Sequence, residues 1–537
     1  MKGERMSPSR SIPSGREADT TQTSLARHVL SRLGFGPTAS DVARLEHLGF
    51  EHWLDQQLAP NDADDTECNA RLQALRLRIH YPAGSSIPVG GGPAQTWAAV
   101  DEDRPLQYLN APIEAAWPLR DNSSRPTPER LRPVEEVVQA TILRAVHSRW
   151  QLREVMVGFW RDHFNVDGYG SYNFTVSIPC FDRDVLRTHC LGNFRGLLEA
   201  TATSTAMLHY LSQQSSRAGA ANENYARELF ELHTLGRDAY LNDHYNRWRD
   251  VPGALDGRPI GYIDEDVYEA ARAFTGWTVE NGVRIDEATQ LPDTGKFTYV
   301  ERWHDGYQKR VLGVDFDPFA APMADGRRVL NLVAGHPQTA RNLSAKLVRR
   351  LVGDGASPSL VDAAAAEWTA SAAAPDQIAR VVRVICLSPD FRASSNAKVR
   401  RPFSIAASFA RACDIDLVPT EGLSSVIKQA GEPIYDWTTP DGPPDRNPYW
   451  ISANGMRLRW AIVFGLALNS WQNGEPVLAA SDNPEAIAQD AATRILGDAR
   501  PDEIAALSAA VSAAANDPNA KAQALALAAA GPRFQLA

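Results

Sequence analysis

The densest chemistry in this chain lies in Asn222-Glu-Asn-Tyr-Ala-Arg-Glu-Leu-Phe-Glu-Leu-His-Thr-Leu-Gly236. Asn222 is a capping residue and Gly236 a terminator, so the segment reads as a helix. At 100° per residue, Glu223, Asn224, Arg227, Glu228 and Glu231 fall on one arc. Tyr225, Ala226, Leu229, Phe230 and Leu232 fall on the other, with His233 among them. Carboxylates beside an imidazole are the material of a metal centre or a proton-transfer site. The spacing also has a plainer reading. Glu223, Arg227 and Glu231 stand four residues apart, as they do in a solvated salt-bridge ladder.

Further histidines extend the candidate set. His163 closes a helical segment on the same face as Leu152, Met156 and Phe159. His304 and Asp305 occupy the polar turn Arg302-Trp-His-Asp-Gly306, and His336 precedes Pro337 at a helix start. A shared site would gather His163, His233, His304 and Asp305 with Arg227 and with Glu223, Glu228 or Glu231. A divalent metal ion is the cofactor such donors would take. Each histidine is equally at home bonded to backbone inside a helical core. No HExxH, P-loop, GxGxxG or GxSxG accompanies them, so neither metal nor reaction can be named.

Positioning such residues falls to helices. A 3.6-residue period runs through most of 133–164, 182–211, 222–235, 264–274, 325–352, 359–388 and 397–413, and the Ala-rich stretch 453–537 continues it. This predicts a mainly α, multi-helix globular array with at most a small β element around 280–320. Residues 1–23 read as a disordered tail. Residues 24–130 read as a helical hairpin followed by a long loop excursion through Gly90-Gly-Gly-Pro93. Residues 131–420 form the expected central helical core, with 150–236 packed on 271–277 and 241–258 outside. Residues 421–537 give a loop segment and a helical C-terminal subdomain. The stretches 376–391 and 519–534 both end in Pro-x-Phe, an echo of related units or a coincidence of proline-stopped helices.

Composition narrows the function classes. The 537 residues are 44% hydrophobic and 22% charged, enough for a normal core without staples. Basic side chains number 55 against 65 acidic, a net charge of −10 that argues against a nucleic-acid partner or an anionic membrane. The 5 cysteines contain no CxxC pair and read as buried small hydrophobes, although Cys180 and Cys190 could bridge in an oxidising compartment. The N-terminus lacks an apolar h-region and no apolar run is long enough to span a membrane. Both point to the cytoplasm.

Several motifs recur in a familiar order: Arg27-His-Val-Leu-Ser-Arg-Leu-Gly-Phe-Gly36, Phe159-Trp-Arg-Asp-His-Phe164, the 222–236 segment and Ala271-Arg-Ala-Phe-Thr-Gly-Trp277. After them come His304-Asp305 ahead of Lys309 and Gly313, His336-Pro337, Lys398-Val-Arg-Arg-Pro402 and Pro532-Arg-Phe-Gln-Leu536. In these the chain resembles the bacterial family known as domain of unknown function 1800. The resemblance implies a largely helical protein, often exported. It also implies a partner, because the family's genes often accompany those of a family resembling alkaline-phosphatase-like hydrolases and sulfatases. The chain departs from the pattern in showing no export signal and in an apparent insertion at 241–258.

Two functions follow as expectations. The first is an enzyme with a His/Glu polar or metal site. The alternative is a non-catalytic binding or scaffold protein acting with a hydrolase-like partner or a carbohydrate. For the latter, Trp277, Trp303 and Trp450 would stack on sugars or anchor the partner, unless they fill the core.

Overall fold

The computed structural model describes residues 22–537 except 88–92, 122–124, 473–477, 479–480 and 515. The expected tail lies outside the described residues up to position 21, as does most of the Gly90–Pro93 turn. The protein is mainly α: 26 α-helical segments and four two-stranded antiparallel sheets are described.

The elements that matter most for the site are α1 (Thr66–Ala74), α2 (Thr127–His147), α3 (Gln151–His163), α4 (Glu223–Glu228), α5 (Asp264–Ala273) and α6 (Pro337–Leu351). Both α2 and α3 are buried on most of their surface. Such helices must satisfy their polar side chains internally. Glu136 on α2 is fully buried. Its carboxylate accepts from the backbone N–H groups of Gln107 (2.9 Å), Tyr108 (2.6 Å) and Leu109 (3.0 Å), and from Arg132 Nε (2.9 Å). One side chain thus ties the 107–109 segment to the central helices.

The stretch 59–130 differs from the expected loop. It contains α1 and a pair of strands, β1 (Arg76–Tyr81) and β2 (Val100–Pro105), in antiparallel register from Arg76 opposite Pro105 to Tyr81 opposite Val100. The sequence Arg-Leu-Arg-Ile-His-Tyr alternates polar and apolar, and Leu77 and Ile79 point inward as a period of two requires. A smaller pair, Gly84–Ser86 with Gln95–Trp97, extends this region. The β element expected around 280–320 is present. Strand β3 (Trp277–Asn281) pairs with β4 (Asp293–Tyr299), and Lys309–Val311 pairs with Val314–Phe316.

One continuous apolar cluster runs from Ala26 to Phe534 and draws on the N-terminal, central and C-terminal segments alike. Trp277, Trp303 and Trp450 are 1%, 5% and 7% exposed, so they are packing residues with no face left for a sugar. The 241–258 insertion is made of short 3-10 turns around its own small cluster of Val251, Ala254 and Ile263. All five cysteines are free thiols, four of them buried. Among the described residues no helix is long and apolar enough to cross a membrane.

The two Pro-x-Phe endings build the same local device. In each, a proline opens a short helix, Pro389–Ala393 or Pro532–Gln535, that buries its phenylalanine. Phe391 meets the ring of His28 at 4.9 Å, and Phe534 lies under the Arg400 guanidinium at 4.8 Å. The backbone of 535–537 pairs with that of 398–400, through Arg400 N–H to Gln535 O (3.0 Å) and Ala537 N–H to Lys398 O (2.8 Å).

Replacing Glu136 by Ala strands the buried N–H groups of Tyr108 and Leu109, the part-buried N–H of Gln107 and Arg132 Nε. This should cost about 3–5 kcal/mol. The expected result is a lower urea midpoint together with early tryptic cleavage at Arg104 or Arg120. An unchanged midpoint would show that Glu136 is not the anchor of this region.

Candidate functional site

The site is built where the carboxyl end of α3 meets α6. His163 is the last residue of α3, and its burial follows from the apolar face it shares with Met156 and Phe159. His163 Nε2 lies 3.1 Å from the carbonyl oxygen of His233, and Nδ1 lies 3.2 Å from Lys346 Nζ. A backbone carbonyl only accepts, so Nε2 carries the proton and Nδ1 is left to accept from the amine. Lys346, on α6, also donates to the carbonyl of Leu232 (3.1 Å).

His233 reaches this place through a change of helix type. The 222–236 segment starts as α4, capped by Asn222 (Asn224 N–H to Oδ1, 3.0 Å), and then widens into a π-turn over Leu229–His233. π-turns are uncommon and are often found at functional positions. The His233 ring is fully buried, 6.1 Å from that of His163, and neither ring nitrogen has a hydrogen-bond partner among the described residues. Burial, aided by the Lys346 charge, pushes its pKa down to about 3. Burial, Lys346 and His233 hold His163 well below the usual histidine range. Lys346 itself is pushed down to about 8 by burial, with Arg349 and Arg237 adding to the effect and Asp441 opposing it.

The π-turn also breaks the expected carboxylate ladder. Arg227 bonds Glu223 (3.3 Å) and approaches Asp264 (3.5 Å), while Glu231 turns aside to Arg237 (2.7 Å). More residues per turn carry Glu231 off the Arg227 arc. Glu223, Arg227 and Glu231 are thus engaged in ion pairs near the surface. Glu228 is different. It is half-buried, and burial followed by the neighbouring charge of Glu231 raises its carboxyl above the usual range. The charges of Arg237 and Asp441 act on both Glu228 and Lys346.

His304 and Asp305 belong to a separate arrangement, correcting the expectation of one three-histidine site. His304 Nδ1 faces the carbonyl of Thr275 (3.0 Å), and Nε2 faces Asp325 (3.3 Å), which also holds Lys309 (2.7 Å). Asp305 forms a two-pronged pair with Arg272 on α5 (2.8 and 3.1 Å), and Arg272 also bonds Glu269. Burial alone would raise the Asp305 carboxyl, but the Arg272 bonds hold it low. The rings of Tyr225 and Phe274, 5.2 Å apart, separate the two arrangements: Tyr225 faces His233, and Phe274 precedes the Thr275 that binds His304. His336 serves as a helix cap, Gln338 N–H to Nδ1 at 3.1 Å.

Among the described residues no group of three or more His, Cys, Asp or Glu side chains is arranged to hold a metal ion. The donor set around His163 does not fit one either. Its Nδ1 faces an amine and its Nε2 a carbonyl, and the His233 nitrogens have no carboxylate beside them to complete a ligand set.

A network of buried charges lies beneath this site. Asp162, next to His163, takes bonds from Arg350 (2.6 Å) and Arg401 (2.7 Å). Asp445 forms ion pairs with Arg350 (2.9 Å), Lys398 (2.9 Å) and Arg401 (2.8 Å). Lys346 and Arg350 share a face of α6 at i, i+4 spacing. Gly442 (φ +67°) lets the 437–445 loop lie on the end of α3, where a Cβ would collide with the Asp162 carbonyl oxygen. Arg401 and Asp162 stood inside motifs already noted. Lys346, Arg350 and Asp445 carried no signal.

These motifs span the chain in family order, and the family described as Protein of unknown function (DUF1800) matches residues 28–536. The chain is a member of the DUF1800 family. Neither the curated proteins nor the solved structures contain a match to it. In this DUF1800 chain the motifs 159–164, 222–236 and 398–402 converge on the end of α3, while 271–277 and 304–309 build the neighbouring Asp325 network.

A histidine whose folded pKa is depressed takes up its proton in the unfolded chain first. The stability it confers is present above about pH 6.5 and is lost as pH falls toward the folded value near 3. Each such histidine should contribute a slope of about 1.4 kcal/mol per pH unit in that window. His233→Phe should remove one such contribution, so urea unfolding at pH 7, 6 and 5 should show a shallower decline than wild type. Equal slopes would mean that His233 is not a buried neutral imidazole.

Proposed function

We propose that this DUF1800 chain is an enzyme that moves protons at a polar site composed of Lys346, His163 and Glu228. The observation that carries the reading is the state of Lys346. Its amine sits on an imidazole nitrogen and a carbonyl, and no carboxylate lies within ion-pair distance among the described residues. An amine in that setting gives up a proton near neutral pH. Two of its N–H bonds are tied down on the protein side, which leaves the third position, a proton or a lone pair, for a substrate. His163 is held as the Nε2–H tautomer and keeps the amine in place. Glu228, with its raised pKa, retains a proton longer than an ordinary carboxylate. Groups displaced toward neutrality from opposite sides are the usual composition of an acid–base pair.

A second reading rests on exposed aromatics. Tyr307 and Phe319 are 68% and 77% exposed, with rings 5.8 Å apart, a surface to which a partner protein or a sugar could bind. Under that reading the chain is a non-catalytic scaffold for an alkaline-phosphatase-like or sulfatase-like protein or a carbohydrate.

The two readings separate in one experiment. Purified wild type and Lys346→Arg, which keeps the charge but not the capacity to give up a proton, are incubated with a metabolite extract and compared by mass spectrometry. The enzyme reading expects small molecules that only the wild type consumes, and modification of Lys346 by an amine-reactive reagent to half its limit near pH 8. Identical metabolite profiles, or a Lys346 that reacts only near its ordinary pH, would sink it.

A further inference from the structure

The amino end of α3 borders a second polar space, distinct from the site at its carboxyl end. It is a cavity of about 630 Å³ between α1, α2, α3 and the turn Phe181–Arg187. That turn is π-helical, like the one that delivers His233, and it aligns Asp182 with Arg187 five residues on (Nε to Oδ2, 2.8 Å). Four arginines line the cavity.

Three of them are already engaged. Arg187 holds Glu154 through both terminal nitrogens (2.9 and 2.7 Å). Arg153 is paired with Asp62. Arg183 bonds Asp184 (2.7 Å) and the carbonyl of Ala111 (2.9 Å). Arg144 is the exception. Its nearest carboxylate, Asp182, stands 3.8 Å away and is already bonded by Arg187 and by the Tyr435 hydroxyl (2.8 Å). Arg144 Nη1 is buried without a hydrogen-bond partner among the described residues. Arg144 is thus ion-paired at 3.8 Å but not hydrogen-bonded at Nη1, and a buried donor left without an acceptor is costly unless something else completes its bond. Leu72, Leu106 and Leu109 give the same cavity an apolar wall.

We propose that this cavity is a binding site for a small organic carboxylate, which accepts from Arg144 Nη1 and whose hydrocarbon part lies against Leu72, Leu106 and Leu109. A guanidinium presents two parallel donors that match a carboxylate, and its planar geometry favours that group over a point-like anion. The volume falls within the range of small-molecule sites and exceeds what a bare ion needs. Burial and the nearby Arg187 lower the Arg144 pKa, so an anion that pairs with it relieves both penalties. The site does not depend on the chemistry assigned to Lys346.

Isothermal titration of the full chain with hexanoate, acetate and inorganic phosphate tests the proposal. Hexanoate should bind saturably and more tightly than acetate or phosphate. Arg144→Met forfeits no side-chain hydrogen bond among the described residues and only the 3.8 Å pair with Asp182, which keeps Arg187 and Tyr435, so it should fold, yet weaken hexanoate at least tenfold. Arg144→Lys should fall between the two. Lys346→Arg should bind hexanoate as wild type does, which separates this site from the other. No saturable hexanoate binding to wild type, or equal affinity in Arg144→Met, overturns the carboxylate site. Phosphate binding as tightly as hexanoate overturns the role of the leucine wall.

Discussion

Everything around the end of α3 depends on two buried carboxylates, Asp162 and Asp445, held among Arg350, Arg401 and Lys398. Burial raises both carboxyls, but the surrounding cations, Arg161 beside Asp162 included, outweigh it and hold both below the ordinary carboxylate range. Asp162 lies at a helix carboxyl terminus, where the backbone dipole disfavours negative charge. The arginines therefore compensate the helix end as well as the side chain. The network joins residues far apart in sequence: 162, 350, 398–401 and 445. Removing any one member leaves an unbalanced buried charge, which is far more damaging than the pair's net contribution would indicate. This is why the 437–445 loop, rich in proline and glycine, lies fixed on the helix end.

The contrast between two lysines shows how the same scaffold divides structural from reactive groups. Lys398 and Lys346 are both pushed down to about 8 by burial. Lys398 faces Asp445 at 2.9 Å, and the pair completes the network. Lys346, on the same face of α6 as Arg350, has only an imidazole and a carbonyl as partners among the described residues. What distinguishes them is the counter-charge, and that is a property of three-dimensional neighbours rather than of the residue.

Much of the fold was legible because helical periodicity is local: the mainly α architecture, the β element near 280–320 and the buried face of His233 follow from spacing alone. The strand Arg76–Tyr81 is legible too, in its strict alternation, but it lies inside a stretch without longer periodicity that reads as a loop. The site was legible only in part. Its histidines and Glu228 stood in recognisable motifs, whereas Lys346 and Arg350 look like ordinary members of an amphipathic helix, and Asp445 like an ordinary loop residue. Their roles arise from contacts between segments distant in sequence, such as Lys346 with His163 and Asp445 with Arg350. Spacing at 100° per residue also failed at Leu229–His233, where the π-turn sent Glu231 to Arg237. His304 shared a residue type with His163 and His233 but not their surroundings, since Tyr225 and Phe274 stand between.

The pairing of 535–537 with 398–400 has a consequence for how the chain is made. Residues 398–401 supply two of the cations that neutralise Asp162 and Asp445, and their backbone finds its partners in the last residues of this sequence. A nascent chain emerging from the ribosome cannot close that arrangement until residue 537 has cleared the exit tunnel. Until then α3 and α6 carry charges whose positions are not yet secured. Segments made early must wait for segments made late, as in other folds dominated by distant contacts. The timing of that closure is thus set by residues 535–537, not by the order in which α3 and α6 are made.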